Sequence, residues 1–355
     1  MKLLVPKLVE GILSVSFFLL ALTSLSIAQQ PVFGPPVNLG PRINTASHEL
    51  DPFLTADGKK LFFSDGADIW FSEWLNNNWT QAVRLAPQIN YGIHYQVSPS
   101  VSPDGQKLYY VDASRDGYYW DIWVSIWDSS TNNWGTAQHL DYPINTAGVE
   151  FSARIGPDGR KLYFSTSYCC DSLYPDGRCG FYVSEWNGSS WSLPEFLGGG
   201  QCEVSQYPSV TADLQELYYH QYVSDGGSIF VNCWEQSTWG PQIDLRPQLG
   251  GRTATPFITS TGDSLFFSAC NDFPGFGGCD IWLATRMLSG DLNLDSQLTA
   301  ADVVLELNKV FLEESYPAPP AAGEMTCDGN FTPADVVVLL LRVFGNIKSS
   351  TMLGD

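Results

Sequence analysis

Basic residues are scarce in this chain: 18 Lys and Arg stand against 38 Asp and Glu, for a formal charge of −20. That excess repels phosphate backbones and anionic headgroups, which argues against nucleic acid and membrane lipid as partners. Histidines number four, and His48, His94, His139 and His220 show no metal-ligand spacing. The eight cysteines contain no C-x-x-C pair, which speaks against a zinc module. No G-x-S-x-G, H-E-x-x-H or phosphate-loop motif occurs, so the common nucleophile elbow, zincin helix and nucleotide cradle are missing.

Long apolar runs are lacking outside the first 28 residues, so no stable membrane insertion is expected. Lys2 and Lys7, an apolar stretch from Ile12 to Leu25 and the small residues Ser26-Ile27-Ala28 read as a secretory signal over 1–28. Ser14, Ser16, Thr23 and Ser24 interrupt the run, which favours a cleaved signal over a transmembrane anchor. No Cys follows the cut, so no lipid anchor is expected. The protein is expected to be secreted, periplasmic or at the cell surface. About 325 residues remain, enough for one large domain and a small one.

What is present is repetition. "DPFLTADGKKLFF" begins a unit that recurs as "SPSVSPDGQKLYY", "SARIGPDGRKLYF", "YPSVTADLQELYY" and "TPFITSTGDSLFF". The central leucines are Leu61, Leu108, Leu162, Leu217 and Leu265, at intervals of 47, 54, 55 and 48 residues. Each unit holds four short β runs, the first two joined by turns such as Asp57-Gly58, Asp104-Gly105 and Asp158-Gly159. The fourth run starts at a Trp and ends six residues on at Leu, as from Trp79 to Leu85. Four antiparallel strands repeated radially make a propeller blade. The fifth unit stops at "DIWLATR" without a fourth run, and Phe33 to Leu39 carries the missing spacing. The expected fold is an all-β five-bladed propeller over 29–288, closed by its N-terminal strand.

"PSVSPDGQKLYY" and "ARIGPDGRKLYF" resemble the WD40-like repeat of TolB-type propellers, from about Val32 to Arg286. Blades four and five depart from it at the turn, with Asp213-Leu214 and Thr261-Gly262-Asp263. The resemblance implies fold more than function. In such a propeller the loops between second and third strands share a face with the inter-blade loops. That placement implies Cys270–Cys279, and Cys179 with Cys170 or Cys169, the remaining one of the adjacent pair within reach of Cys202. Cys233 falls in a strand and is expected to be a buried free thiol.

After Ser289 the texture changes to two acidic loops, each followed by an amphipathic run: "GDLNLDSQLTAADVVLELNKVFL" and "GEMTCDGNFTPADVVVLLLRVF". Asp291, Asn293, Asp295, Gln297 and Asp302 fall at calcium-loop positions 1, 3, 5, 7 and 12. Asp328, Asn330 and Asp335 repeat part of the set, with Glu324 and Thr326 at the weaker positions 1 and 3. The alternative is a helical hairpin with capping acids. This pair resembles a type I dockerin over 289–346, followed by a tail at 347–355. The resemblance implies a small all-α domain, bound calcium and a cohesin-bearing partner. Ala300-Ala301 and Pro333-Ala334 replace the Ser/Thr of cohesin recognition, and "EESYPAPPAAG" stretches the spacing between the loops.

Catalysis in a propeller would draw on residues that begin the innermost strands. Glu49, Asp51, Glu150 and Glu203 are the acidic candidates there; His94 and Arg154 lie close by in sequence. Tyr118-Tyr119-Trp120, in a long loop, offers faces for sugar stacking. Five blades do not repeat one carboxylate pattern. The leading expectation is therefore a non-catalytic propeller binding a glycan, peptide or protein. The alternative is a polysaccharide hydrolase or lyase using a carboxylate pair such as Glu49 and Glu150.

Overall fold

The computed structural model describes residues 31–113, 120–166, 180–198, 205–224, 226–235, 238–270, 272–288, 290–293, 297–312, 315, 322 and 333–345. The expected signal at 1–28, Tyr118, Tyr119, Cys169, Cys170, Cys179, Cys202, Glu203, Asp295, Asp328, Asn330 and the tail lie outside the described residues.

Five antiparallel sheets follow one another along the chain. Blade one holds Leu50–Leu54, Lys60–Ser64 and Ile69–Leu75, with Asn78–Trp79 and Val83–Arg84 sharing its outer edge. Blades two, three and four begin at Tyr95, Glu150 and Ser205 with the same order. Blade five has Thr253–Ile258, Ser264–Cys270 and Cys279–Thr285, and its outer strand is the N-terminal Val37–Asn38. Val37 pairs with Leu283 and Asn38 with Trp282, and a bridge joins Phe33 to Arg286. The ring is closed as its sequence spacing implied, and blade five keeps no bare edge.

The second strand of each blade is buried on both faces, which explains its unbroken apolar-aromatic runs: Leu61-Phe62-Phe63, Leu108-Tyr109-Tyr110 and Leu162-Tyr163-Phe164 are all core. Every innermost strand carries one extra residue. Its register slips between Leu50 and Phe53, Val97 and Ser100, Phe151 and Arg154, Gln206 and Ser209, and Ala254 and Phe257. Within each slip one residue takes a left-handed backbone: Asp51, Ser98, Ser152, Tyr207 and Thr255 have φ between 46 and 61°. These are β-bulges, and they break the in–out alternation of side chains in the same place five times.

Two devices absent from the sequence reading hold the frame, one pinning each inter-blade loop to the blade it leaves and one joining neighbouring blades. The first is a repeated Asn. Asn90 donates to Ile69 O and accepts from Ile69 N, at 2.8 and 2.9 Å. Asn145 does the same to Ile122, and Asn44 to Ile281. Each amide thereby stands in for a missing strand partner at the start of a third strand.

The second device is a seam. Lys60 of blade one lies over the Trp127 ring of blade two, at 5.9 Å, and Lys107 of blade two over Trp186 of blade three, at 5.4 Å. In blade four the lysine position holds Glu216, and in blade five the tryptophan position holds Arg286. Those two form an ion pair, with Tyr218 donating to the same carboxylate at 2.8 Å. A cation–ring contact has been exchanged for a charge pair with both partners changed together.

The disulfide Cys270–Cys279 forms across blade five, and Cys233 is buried and belongs to no disulfide. Two helices, Ala300–Leu312 and Pro333–Gly345, follow the propeller. Their small core of Leu292, Val303, Ala322 and Leu339 includes Val32, with Met287 packed against it. The helices therefore sit against the segments that enter and leave the closing blade.

The seam is testable by exchange. Glu216→Lys alone sets a cation against Arg286 and should cost roughly 2–4 kcal/mol, read from urea unfolding. Adding Arg286→Trp rebuilds the contact used between blades one and two and should return most of that loss. Costs that simply add would refute the equivalence of the two seams.

Candidate ligand site on the propeller axis

Of the carboxylates picked from sequence as mouth acids, Glu49, Asp51 and Glu150 are described, and all three are buried. Glu49 accepts from Thr45 N at 2.9 Å and from Thr45 Oγ1 at 2.6 Å. Glu150 accepts from Thr146 N and Oγ1 in the same way. Burial raises the Glu49 carboxyl above its ordinary value, against the pull of the Thr45 hydrogen bonds. Each acid braces the loop that enters its blade. In blade two the pair is replaced together, by Tyr91 and Gln96.

Gln96 instead donates to Asp112 Oδ2 at 3.3 Å, and His94 Nδ1 meets Asp112 Oδ1 at 2.5 Å. Burial, then the facing Asp121, pushes the Asp112 carboxyl up to about 7. Asp121 in turn pairs with His139, at 3.5 Å. Trp120 packs edge-to-face on Phe151 of the next blade, with ring centres 5.2 Å apart.

Asp51 and Arg154 do not stand at the strand-start mouth. Both are buried on the axis, 2% and 3% exposed. Asp51 Oδ2 accepts from Ser64 Oγ at 2.8 Å and from Ser98 N of blade two at 3.1 Å, while Asp51 N donates to Thr255 Oγ1 of blade five. One bulge residue thus ties three blades together. Desolvation raises the Asp51 carboxyl, partly offset by Ser64 and by the charge of Arg154.

Just past the bulges, Phe53, Ser100, Arg154, Ser209 and Phe257 occupy equivalent positions, opposite Phe62, Tyr109, Tyr163, Tyr218 and Phe266. Large and small side chains alternate from blade one to blade five, and the rings of Phe257 and Phe53 meet where the circle closes, their centres 4.7 Å apart. Ser100 Oγ and Ser209 Oγ accept from the backbone N–H of Ile155 and Ile258 in the following blades. The Arg154 guanidinium lies over the Phe53 and Phe257 rings, 5.7 and 5.8 Å from their centres. Its Nη1 donates to Pro99 O at 2.9 Å.

A cavity of about 380 Å³ opens here, walled by all five inner strands and rimmed by the turns after them. Arg154, Phe53, Phe257 and Val210 line its inner part; Thr55, Asp57, Thr261 and Asp263 line its rim. It lies toward the hairpin-turn end of the axis, away from the strand starts where Glu49 and Glu150 sit. Volume and mixed lining suit a small ligand. Phe53 and Phe257 escaped the sequence reading because the bulge changes which residues face the axis.

In the acidic loop after the propeller, Asp302 is fully buried. Its Oδ1 accepts from Leu292 N and Asn293 N, and its Oδ2 from Thr299 N and Oγ1. Asp291 and Asp335 are buried as well. The donors are hard oxygens of the kind calcium prefers. Among the described residues no three His, Cys, Asp or Glu side chains converge on one metal position.

No family model matches the chain, and no curated protein matches it. Solved structures do. TolB of Acinetobacter baumannii is 15% identical with a TM-score of 0.42, over 67% of this chain and 55% of its own, so this chain spans about half of it. The PQQ-bound aldose sugar dehydrogenase of Streptomyces coelicolor is 13% identical with a TM-score of 0.47, over 73% of this chain and 100% of that one. The catalytic domain of a GH62 α-L-arabinofuranosidase of Coprinopsis cinerea is 12% identical with a TM-score of 0.48, over 74% and 98%.

His220 supplies a pH dependence near the axis. It is buried beside Tyr207 and Tyr222, without a hydrogen-bond partner for either ring nitrogen. Gly227 makes room for it, since a Cβ there would stand 2.3 Å from its Nε2. Burial pulls the imidazole down to about 4 from 6.5. The folded state therefore binds fewer protons than the unfolded chain between those values, and stability falls as pH drops from 6.5 toward 4. The loss from this residue should reach roughly 3 kcal/mol. Urea unfolding at pH 7 and pH 4.5 should show it in the native protein and not in His220→Phe; equal pH slopes would contradict it.

Proposed function

We propose that this protein is a secreted, non-catalytic propeller that binds a glycan, peptide or protein through its axial cavity. The observation that carries the reading is the cavity itself, which draws wall residues from every blade and holds a charged side chain at its inner end. The candidate catalytic pair supports it further: Glu49 and Glu150 are spent on Thr45 and Thr146, which leaves little freedom for proton transfer to a sugar. The alternative reading, a polysaccharide hydrolase or lyase, is favoured by one group only, the Asp112 carboxyl near neutrality beside His94.

The two helices are proposed to be a calcium-loaded, dockerin-like unit. Asp291, Asn293, Asp295, Gln297 and Asp302 would hold one ion and Asp328, Asn330 and Asp335 a weaker one. The ion would supply structural cross-linking of loop to helix, and a cohesin-bearing partner is proposed to dock there.

One experiment addresses both parts. The mature protein, with calcium, is incubated with plant and bacterial polysaccharides; retained ligand and soluble products are read by mass spectrometry. Retention without products is expected. Defined oligosaccharides that vanish in Asp112→Asn, or in the Glu49→Gln/Glu150→Gln double variant, would replace the binding reading with the hydrolytic one. In the same preparation, chelation should lower the melting temperature by several degrees, as loss of a bound ion does; no change in the native protein, or an equal drop in Asp302→Asn, would remove calcium from the account.

A further inference from the structure

Each seam between blades offers the same five positions toward the hairpin turns. They are the first residue of one blade's second strand, its partner on the third strand, a residue of the next blade's first turn, and that blade's tryptophan pair. Between blades one and two they hold Lys60, Glu73, Gln106, Trp127 and Trp134. Between blades three and four they hold Lys161, Glu185, Gln215, Trp234 and Trp239. The other three seams break the set. Ile126 and Arg160 replace Glu and Gln between blades two and three, and Arg286 replaces a tryptophan between four and five. Ser264 and Thr285 replace Lys and Glu between five and one.

The two complete seams are open. A cavity of about 540 Å³ lies in the first and one of about 520 Å³ in the second, each lined by all five of its residues. In both, one indole backs another edge-to-face, with centres 5.2 Å apart for Trp127 and Trp134 and 4.9 Å for Trp234 and Trp239. The backing ring is fixed: Trp134 is buried, and Trp239 Nε1 donates to Leu197 O at 2.8 Å. The other ring is reachable, half-buried at Trp127 and 36% exposed at Trp234. So are the polar walls. Lys60 and Glu73, paired at 3.1 Å, are 42% and 38% exposed, and Glu185, paired with Arg160 at 3.3 Å, is 51% exposed. Gln106 and Gln215 are exposed as well.

This combination selects a ligand class. An indole face is electron-rich and attracts C–H groups laid on it. Lysine donates, glutamate accepts and glutamine does both, which matches a rim of hydroxyls, each a donor and an acceptor. A pyranose ring presents those two surfaces, a face of C–H groups and a hydroxyl rim. Acids outnumber bases on the lining: Asp57 and Asp104 join Glu73 in the first groove, and Glu195 and Asp213 join Glu185 in the second. An acidic sugar is repelled there. A cation gains less than a polyol, because Glu73 and Glu185 already hold Lys60 and Arg160.

We propose that the two grooves are a matched pair of sites for neutral pyranose units of a polysaccharide, each sugar laid on the indole of Trp127 or Trp234 with its hydroxyls toward the Lys, Glu and Gln of that seam. The pair adjoins the axial cavity, sharing Asp57 and Tyr163 with its walls, but does not depend on that cavity being filled. It goes beyond the reading above by giving one chain two points of attachment to a polymer.

Native mass spectrometry on the full mature chain counts bound oligosaccharide, and titration calorimetry gives its affinity, with cellopentaose, mannopentaose and pentagalacturonate as probes. The native protein should bind two more copies of a neutral pentaose than the Trp127→Ala/Trp234→Ala double variant, and each single variant should lose one copy. Pentagalacturonate should bind at least about 10-fold more weakly. Trp127 also holds its seam through Lys60, so the exposed glutamines give a test that leaves the frame alone. Gln106→Ala should weaken one copy by about 3–10-fold and Gln215→Ala the other, with melting unchanged. Equal counts in the native protein and the double variant would refute the grooves and assign the bound sugar to the axial cavity. Binding of neither neutral pentaose at millimolar concentration, or equal affinity for pentagalacturonate, would overturn the neutral-sugar assignment while leaving the axial reading in place.

Discussion

The whole ring depends on a two-residue strand. Val37 and Asn38 pair with Leu283 and Trp282, and Leu39 N continues the line to Ile281 O at 3.2 Å. Without them the third strand of blade five would present a row of bare N–H and C=O groups, next to the aromatic core of Phe33, Phe267 and Trp282. The chain that begins the domain also ends it, so no blade can leave the circle without breaking this joint. Asn44, a few residues further on, locks the same third strand again through Ile281. The terminal helices pack on Val32 and Met287, beside the closure rather than away from it.

Repetition builds the frame, and departures from it mark where the blades differ in task. Turns, bulges and seams recur because each solves the same local problem: reversing the chain, easing a strand toward the axis, holding one blade on the next. The exchange of Lys and Trp for Glu216 and Arg286 is a departure that keeps its task. Arg154 is a departure without a counterpart. Four blades put an aromatic ring or a hydroxyl at that axial position, and blade three puts a buried charge there, beside the cavity.

Much of the frame was legible in the sequence, for identifiable reasons. Asp-Gly turns followed by apolar triplets mark hairpins locally, and the displaced "FGPPVNLG" carries the spacing of a fourth strand, so blade number and closure followed. The Cys270–Cys279 disulfide was legible because both residues flank one loop. The site was less so. The bulge inserts one residue after Asp51 and its equivalents, and simple alternation cannot say that Phe53, Arg154 and Phe257 reach the axis together. The spacing of Thr45 to Glu49 and of Thr146 to Glu150 was visible, yet its meaning as a brace appears only with the hydrogen bonds. Lys60 and Trp127 lie 67 residues apart, and nothing local links them.

The account stands or falls on closure by the N-terminal strand. The most direct measurement compares the thermal unfolding and association state of a chain starting at residue 46 with those of the mature protein, with and without a peptide of residues 31–45. The truncated chain should lose cooperative unfolding and self-associate through the bared Cys279–Thr285 edge, and the peptide should restore both properties. A truncated chain that stays monomeric and melts like the mature protein would show that the ring does not depend on this strand.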